Sequence, residues 1–260
     1  MTGEWIDVPV DGGTMAAYLA RPSAPGPHPA VLVGFEMFGV TGYVRRVADR
    51  IAALGYAALV PDFYHRLGDR IELAADAAGR ERGLELLRGV HRDGVVADVR
   101  AALGHLRERG DGERAAMVGL SVGGHLAYYA ATEVPLDALA VFYPGWLTES
   151  TIPLSQPEPT VTRTPALAAL GTRVLFVVGD GDHLFTAAQR EDIAVRLRSA
   201  GVRHEFVVYP DTPHGFFCDE RDTYRPAAAQ DAWQRLTALQ LAWLRTRMKQ
   251  AAPQALVVAQ

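Results

Sequence analysis

The stretch Gly119-Leu120-Ser121-Val122-Gly123-Gly124 puts a serine between an apolar run, Ala115-Ala116-Met117-Val118, and a segment of helical character, His125-Leu126-Ala127-Tyr128-Tyr129-Ala130. A serine hydroxyl is a poor nucleophile at neutral pH. It needs a base within hydrogen-bond reach, and the base needs a carboxylate to orient it. In a G-x-S-x-G turn from strand to helix the hydroxyl stands exposed at the end of a sheet, near the N-terminus of the following helix. Side chains at 119 or 123 are expected to collide where the strand and helix backbones approach closely. Downstream, Gly179-Asp180-Gly181-Asp182-His183 supplies two carboxylates and Thr212-Pro213-His214-Gly215-Phe216 a histidine. Ser121 is therefore the candidate nucleophile and His214 the candidate base, with Asp182 or Asp180 holding its tautomer. Glu36 is a further carboxylate at the end of an apolar run, and the backbone N–H of Met37 pairs with that of Val122 as candidate oxyanion donors. Such donors are each worth roughly 3–4 kcal/mol of barrier.

These groups need a frame that brings segments about ninety residues apart to one edge. Residues 5–10 and 15–20 alternate around Asp11-Gly12-Gly13, a hairpin signal. Continuous apolar runs at 30–35 and 56–60 read as strands covered on both faces, and 115–118, 139–143, 173–178 and 205–209 read as further strands. Between them, 44–54, 73–89, 95–109, 187–200 and 227–249 have helical character. Strands alternating with helices imply an α/β chain with a mainly parallel central sheet. Residues 147–165 hold four prolines and little periodicity, and are expected to form a long loop that shapes the pocket as a lid. No linker breaks the pattern, so 1–260 is expected to be a single domain with a tail at 251–260.

Composition excludes several function classes. The chain has 260 residues, 26 basic against 30 acidic, and a formal charge of −4. The Arg-rich pieces also carry Glu and Asp, so no nucleic-acid face is expected. Residues 1–10 lack a signal-peptide pattern, and the longest uncharged run, 115–132, is better explained as strand, turn and helix than as a membrane span. Cys218 is the one cysteine, which fits a reducing, cytoplasmic location. The histidines at 65, 91, 105, 125, 183 and 204 are not clustered with cysteine at metal spacing, and the Gly-Asp-Gly-Asp run lacks the glutamate of a calcium loop. No metal and no cofactor are expected. Oligomeric state is not legible.

The motifs GFEMFGV at 34–40, GYAALVPDFY at 55–64, GLSVGG at 119–124, GDGDH at 179–183 and PHGF at 213–216 resemble, in order and over about 200 residues, the dienelactone hydrolase family. The resemblance implies an α/β-hydrolase fold and hydrolysis of an enol-lactone or ester. It selects Asp182 over Asp180, because the family's acid is the carboxylate followed by His. It also implies a role for Glu36, which in the family's cysteine enzymes helps to deprotonate the thiol. Here Ser121 stands where the archetype has cysteine, so His214 is expected to act as an ordinary general base. Cys218 stands where the archetype has a substrate-binding arginine, with Arg221 nearby. The other family arginine corresponds to Arg80, or to Arg82. Tyr64, Trp146 and Phe216 are further candidates for the pocket wall. The expected activity is that of a serine hydrolase acting on a small-molecule lactone or carboxylic ester. A broad carboxylesterase or a tailoring hydrolase of natural products is the nearest alternative, and a non-catalytic ligand-binding module the more distant one.

Overall fold

The computed structural model of this chain describes residues 3–241 and Leu244. Eight strands form one sheet in the order β1-β2-β4-β3-β5-β6-β7-β8. The hairpin β1 (Glu4–Val10) and β2 (Gly13–Ala20) is antiparallel, and β2 also runs antiparallel to β4 (Ala57–Pro61). From β4 onward every pairing is parallel, through β3 (Ala30–Gly34), β5 (Ala115–Leu120), β6 (Ala138–Phe142), β7 (Arg173–Gly179) and β8 (His204–Tyr209). The inner strands β3, β4, β5 and β6 are buried along their whole length. That is why their sequences read as unbroken apolar runs rather than alternations.

Helices α1 (Gly42–Ala53), α2 (Ala77–Leu87), α3 (Arg92–Glu108), α4 (Val122–Glu133) and α6 (Ala187–Ser199) fall in the segments expected to be helical. Their starts follow side-chain caps in three cases. Asp76 accepts from Gly79 N at 2.8 Å, Thr41 accepts from Val44 N, and Thr186 with Gln189 forms a capping box. The closing helix is shorter as an α-helix than expected. α7 covers Pro226–Arg235 and passes into a π-helical stretch, Leu236–Leu241. The remainder of that expected helix beyond 241, Leu244 aside, and the tail at 251–260 lie outside the described residues.

The Pro-rich segment departs from expectation. It contains two 3₁₀ turns, Pro153–Ser155 and Thr160–Arg163, and a short helix α5, Thr164–Ala169. The side-chain contacts of its turns go mainly to α3 and α4, and Gln189 of α6 donates to Thr148 Oγ1 at 2.9 Å near its start. Arg92 donates to Leu154 O at 2.8 Å and to Glu158 O at 2.7 Å, and the Tyr128 hydroxyl meets Thr164 Oγ1 at 2.6 Å. Short turns held by such bonds leave no hydrophobic period in the sequence, which is why the segment reads as loop.

His125 belongs to the same cluster. It is fully buried, with Nε2 2.7 Å from Thr160 Oγ1. Burial, with the Arg92 charge adding to it, holds its imidazole down at about 3. The unfolded chain binds a proton at this residue below about 6.5, and the native state does not until about 3. Stability should therefore fall as pH drops through that window, by about 1.4 kcal/mol per unit well below 6.5. Asp62, pushed up to about 6 by burial, acts with the opposite sign between about 4 and 6. A His125→Gln variant isolates the histidine: its Tm should decline less steeply than wild type between pH 6 and 4. Equal slopes would assign the acid sensitivity elsewhere.

Candidate active site

Six parallel strands end at one edge of the sheet, and the segments that follow them carry the candidate groups. Glu36 follows β3, Tyr64 follows β4, Ser121 follows β5, Tyr143 and Trp146 follow β6, Asp182 follows β7 and His214 follows β8. Open parallel sheets place their sites at this carboxyl edge. Adjacent strands β3 and β5 pair with Gly34 opposite Gly119, which sets the Glu36 loop beside the Ser121 turn.

That junction requires bare backbone. A Cβ at Gly119 would stand 2.0 Å from Gly123 O, and one at Gly34 would stand 2.8 Å from the same atom. A Cβ at Gly123 would meet Gly34 C at 2.3 Å. So the collision expected at 119 and 123 involves a third glycine, Gly34, on the neighbouring strand. Ser121 itself has φ 54° and ψ −123°, a conformation that costs a residue with a side chain of order 1–3 kcal/mol. Its N–H is tied to Phe142 O at 3.0 Å, and Gly124 N–H donates to its carbonyl at 2.8 Å.

Ser121 Oγ lies 2.9 Å from His214 Nε2, and His214 Nδ1 lies 2.9 Å from Asp182 Oδ2. Asp182 is 2% exposed, and its second oxygen, Oδ1, accepts from Leu184 N–H at 2.9 Å. Both oxygens are thus acceptors, so Nδ1 carries the imidazole proton and Nε2 presents its lone pair to the serine. Asp180 is exposed and takes no part. The helix that follows is capped by Thr186 rather than by Asp182. The rings of Tyr143 and His214 pack in a T-shaped arrangement at a centroid distance of 5.1 Å.

Val122 is the first residue of α4, so helix geometry leaves its N–H without an intrahelical acceptor. Met37 lies in the tight turn 36–39, closed by Gly39 N–H donating to Glu36 O at 3.0 Å. A trans peptide points its N–H opposite to its C=O. With Glu36 C=O turned into the turn, the N–H of Met37 faces outward from it.

Glu36 is 2% exposed and is held by other groups than the serine. Arg221 Nη2 donates to Oε2, and the Tyr143 hydroxyl donates to Oε1 at 3.4 Å. Among the described residues no hydrogen bond joins Glu36 to Ser121. Burial pushes its carboxyl above the ordinary glutamate range, against the opposing pull of Arg221, His214 and Tyr143. The Arg221 guanidinium stacks over the Phe38 ring at 4.8 Å. Arg221 is seven residues past His214, so a fixed four-residue offset does not find it, and the fold brings it to Glu36. Cys218, at that offset, is buried, and its thiol is pushed up to about 11 by burial.

A cavity of about 200 Å³ opens over Ser121 and His214. Its wall includes Met37, Leu84, Trp146, Leu184, Arg80 and Arg221. Of the expected wall residues, Trp146 and Arg80 are there. Arg82 instead pairs with Glu85 on the exposed face of α2. Tyr64 and Phe216 are fully buried behind the wall, Phe216 against Tyr143 and Tyr209, and Tyr64 donating to Met37 O at 3.0 Å. Their aromatic type and loop position suggested the pocket, but burial on all sides makes them core. The Pro-rich segment 147–165 contributes none of the lining residues, because its turns are tied to α3 and α4. His183, which no motif singled out for the wall, lines the cavity with its ring 5.7 Å from that of His214.

Among the described residues no group of three or more His, Cys, Asp or Glu is arranged to hold a metal ion, and no helix is long and apolar enough to cross a membrane. The family model described as the dienelactone hydrolase family matches residues 15–244. A Synechocystis sp. protein provisionally named a carboxymethylenebutenolidase is 32% identical over 240 residues, which cover 90% of this chain and 94% of that one. A Bradyrhizobium sp. protein provisionally named a 2-oxo-3-(5-oxofuran-2-ylidene)propanoate lactonase is 29% identical over 242 residues, 92% and 94% of the two chains. A crystal structure of a Klebsiella pneumoniae protein, provisionally named a dienelactone hydrolase, superposes with a TM-score of 0.82 at 32% identity, over 94% of this chain and 98% of that one.

Proposed function

This chain belongs to the dienelactone hydrolase family, and from that premise we propose that it hydrolyses a lactone or carboxylic ester through an acyl-enzyme on Ser121. The observation that carries the reading is the relay Ser121 Oγ, His214, Asp182, with both contacts at 2.9 Å. Ser121 Oγ attacks the carbonyl carbon while its proton passes to His214 Nε2. The oxyanion that forms is met by the N–H groups of Val122 and Met37. Collapse breaks the bond to the alkoxide oxygen, which leaves with the proton from His214. Water, deprotonated by His214 Nε2, then attacks the acyl carbon, and Ser121 Oγ departs and regains the proton. Asp182 keeps Nδ1 protonated and stabilises the imidazolium formed in both halves.

The nucleophile sets what Glu36 does. A serine hydroxyl, unlike a thiol, cannot persist as its anion near neutrality, so it gains little from a second carboxylate that strips its proton in advance. Glu36 instead holds Arg221 against the cavity wall. Glu36→Gln should lower stability by about 2–4 kcal/mol, since it strips a largely buried guanidinium of its charge partner. Turnover should change less than tenfold, read by thermal unfolding and ester hydrolysis in parallel. A thousandfold loss of kcat at unchanged Tm would assign Glu36 to proton chemistry.

The substrate is a small molecule whose acyl or lactone part fits beside Trp146, Leu184 and Leu84, with Arg80 and Arg221 able to pair an acidic substituent. The names of the relatives support lactones, and a cytoplasmic location fits the lone buried cysteine. A fluorophosphonate probe tests the reading. It should label Ser121 in folded protein and not in Ser121→Ala. Absence of labelling in the folded wild type would favour a ligand-binding module. A panel of lactones and p-nitrophenyl esters of varied size and charge then separates a lactonase from a broad carboxylesterase.

A further inference from the structure

The turn that carries Met37 is held at three successive carbonyls. Glu36 O accepts from Gly39 N–H at 3.0 Å and Phe38 O from Leu73 N–H at 2.9 Å, both backbone bonds. Met37 O accepts from the Tyr64 hydroxyl at 3.0 Å, which is the one side-chain tie of the three. Tyr64 is fully buried, with its ring centroid 4.8 Å from that of Phe35, a residue of the same turn's entry. Burial pushes its phenol above the ordinary range, so the hydroxyl keeps its proton and is available to donate. On α2, a Cβ at Gly83 would stand 3.0 Å from Met37 O, so an alanine there would press on the carbonyl that Tyr64 holds, and glycine leaves it its place.

We infer that Tyr64 is a positioning residue for the oxyanion hole, acting through the Met37 carbonyl. The Met37 Cα joins two peptide planes. The first carries the N–H that would meet the oxyanion, and the second carries the C=O that Tyr64 holds. The turn bond ties the first plane at one point, Glu36 O. Holding the second plane fixes the rotation about the Met37 Cα–C bond and so removes the freedom left to the first. Without the phenol the half-buried Met37 carbonyl has lost its partner within the fold and rotates to find another, tilting the N–H with it. A catalytic donor tolerates about 0.5 Å of displacement before its worth falls. The sequence motif containing Tyr64 suggested a pocket residue. The structure assigns it to the backbone beneath the pocket.

The inference rests on the hydrolase reading above, and its test separates the two. Tyr64→Phe removes the hydroxyl and keeps the ring. Complete loss of a donor costs about 100- to 1,000-fold in kcat, so misplacing one should cost roughly 10- to 100-fold, with KM nearly unchanged. The readout that a merely structural role would not move is a pair of inhibitors. A trifluoromethyl ketone forms an oxyanion adduct with Ser121, and its methyl ketone counterpart binds without one. The variant should lose affinity for the first in proportion to kcat and none for the second. An unchanged kcat, or a lowered kcat with unchanged trifluoromethyl ketone affinity, overturns the inference. If Tyr64→Phe does not fold, Gly83→Ala decides instead, since it presses the same carbonyl from the α2 side and should give the same split between inhibitors. If the wild type itself is not labelled by fluorophosphonate, the hydrolase reading has failed rather than the role of Tyr64.

Discussion

Ser121→Ala is expected to lower kcat by roughly 10⁴- to 10⁶-fold while leaving KM and the fold nearly unchanged. Alanine removes one oxygen, and with it the atom on which the proposed acyl-enzyme would form. It retains the Cβ, and therefore the backbone conformation at φ 54° and ψ −123°. The residual rate should come from the Met37 and Val122 N–H groups and from substrate positioning, which do not depend on the hydroxyl. Retention of the wild-type rate on the best ester or lactone would end the serine hypothesis. Ser121→Gly extends the argument to stability. Glycine occupies this region of backbone space at no steric cost, so the Gly variant should be equally inactive yet about 1 kcal/mol more stable than the Ala variant. For a domain of this size that is a difference of about 2–4 °C in Tm. Equal melting temperatures would mean that the turn stores no strain.

Asp182→Asn should reduce kcat by roughly 10³- to 10⁴-fold, with the histidine left in place. The reason lies in the second contact of the carboxylate. Leu184 N–H donates to Oδ1 at 2.9 Å, so an asparagine must turn its single oxygen to Leu184. Its NH₂ group then faces His214 Nδ1 and donates to it. That forces the imidazole proton onto Nε2, where it points at Ser121 Oγ and blocks proton abstraction. Substrate affinity should be preserved, since Asp182 does not line the cavity. The control is Asp180→Asn, two residues away and exposed, which should leave kcat unchanged. Equal losses in the two variants, or none in Asp182→Asn, would remove the tautomer argument. A large drop in Tm for Asp182→Asn would instead show a structural role for this buried carboxylate.

Much of the candidate site was legible because its signals are local. The G-x-S-x-G turn needs small residues at fixed offsets, and apolar runs ending in Gly or Pro mark buried parallel strands whose far ends share one edge. Those rules led to Ser121, His214, Glu36, Met37 and Val122. The carboxylate was narrowed to two by position alone, and the family resemblance preferred Asp182. What did not show was anything decided by contacts between distant segments. Arg221 lies 185 residues from Glu36. Tyr64 and Phe216 have the type and position of pocket residues, yet neighbouring elements enclose them completely. Arg80 and Arg82 look alike on α2, but two residues on a helix point about 200° apart, so one reaches the cavity and the other meets Glu85 in solvent. The segment 147–165 carries no period, and its turns attach through contacts with distant residues such as Arg92, His125 and Tyr128.

By itself the amino-acid sequence determined the order of strands and helices, the strained turn at Ser121 and the chemical types available at the sheet edge, because each depends on neighbours within a few residues along the chain. The tertiary structure alone decided the distances and the division of labour. It set the 2.9 Å contacts of the relay, the pairing of Glu36 with Arg221, and the tie from Tyr64 to the Met37 carbonyl. Strand adjacency and register bring these groups together, and each contact is then fixed by which buried donor meets which buried acceptor.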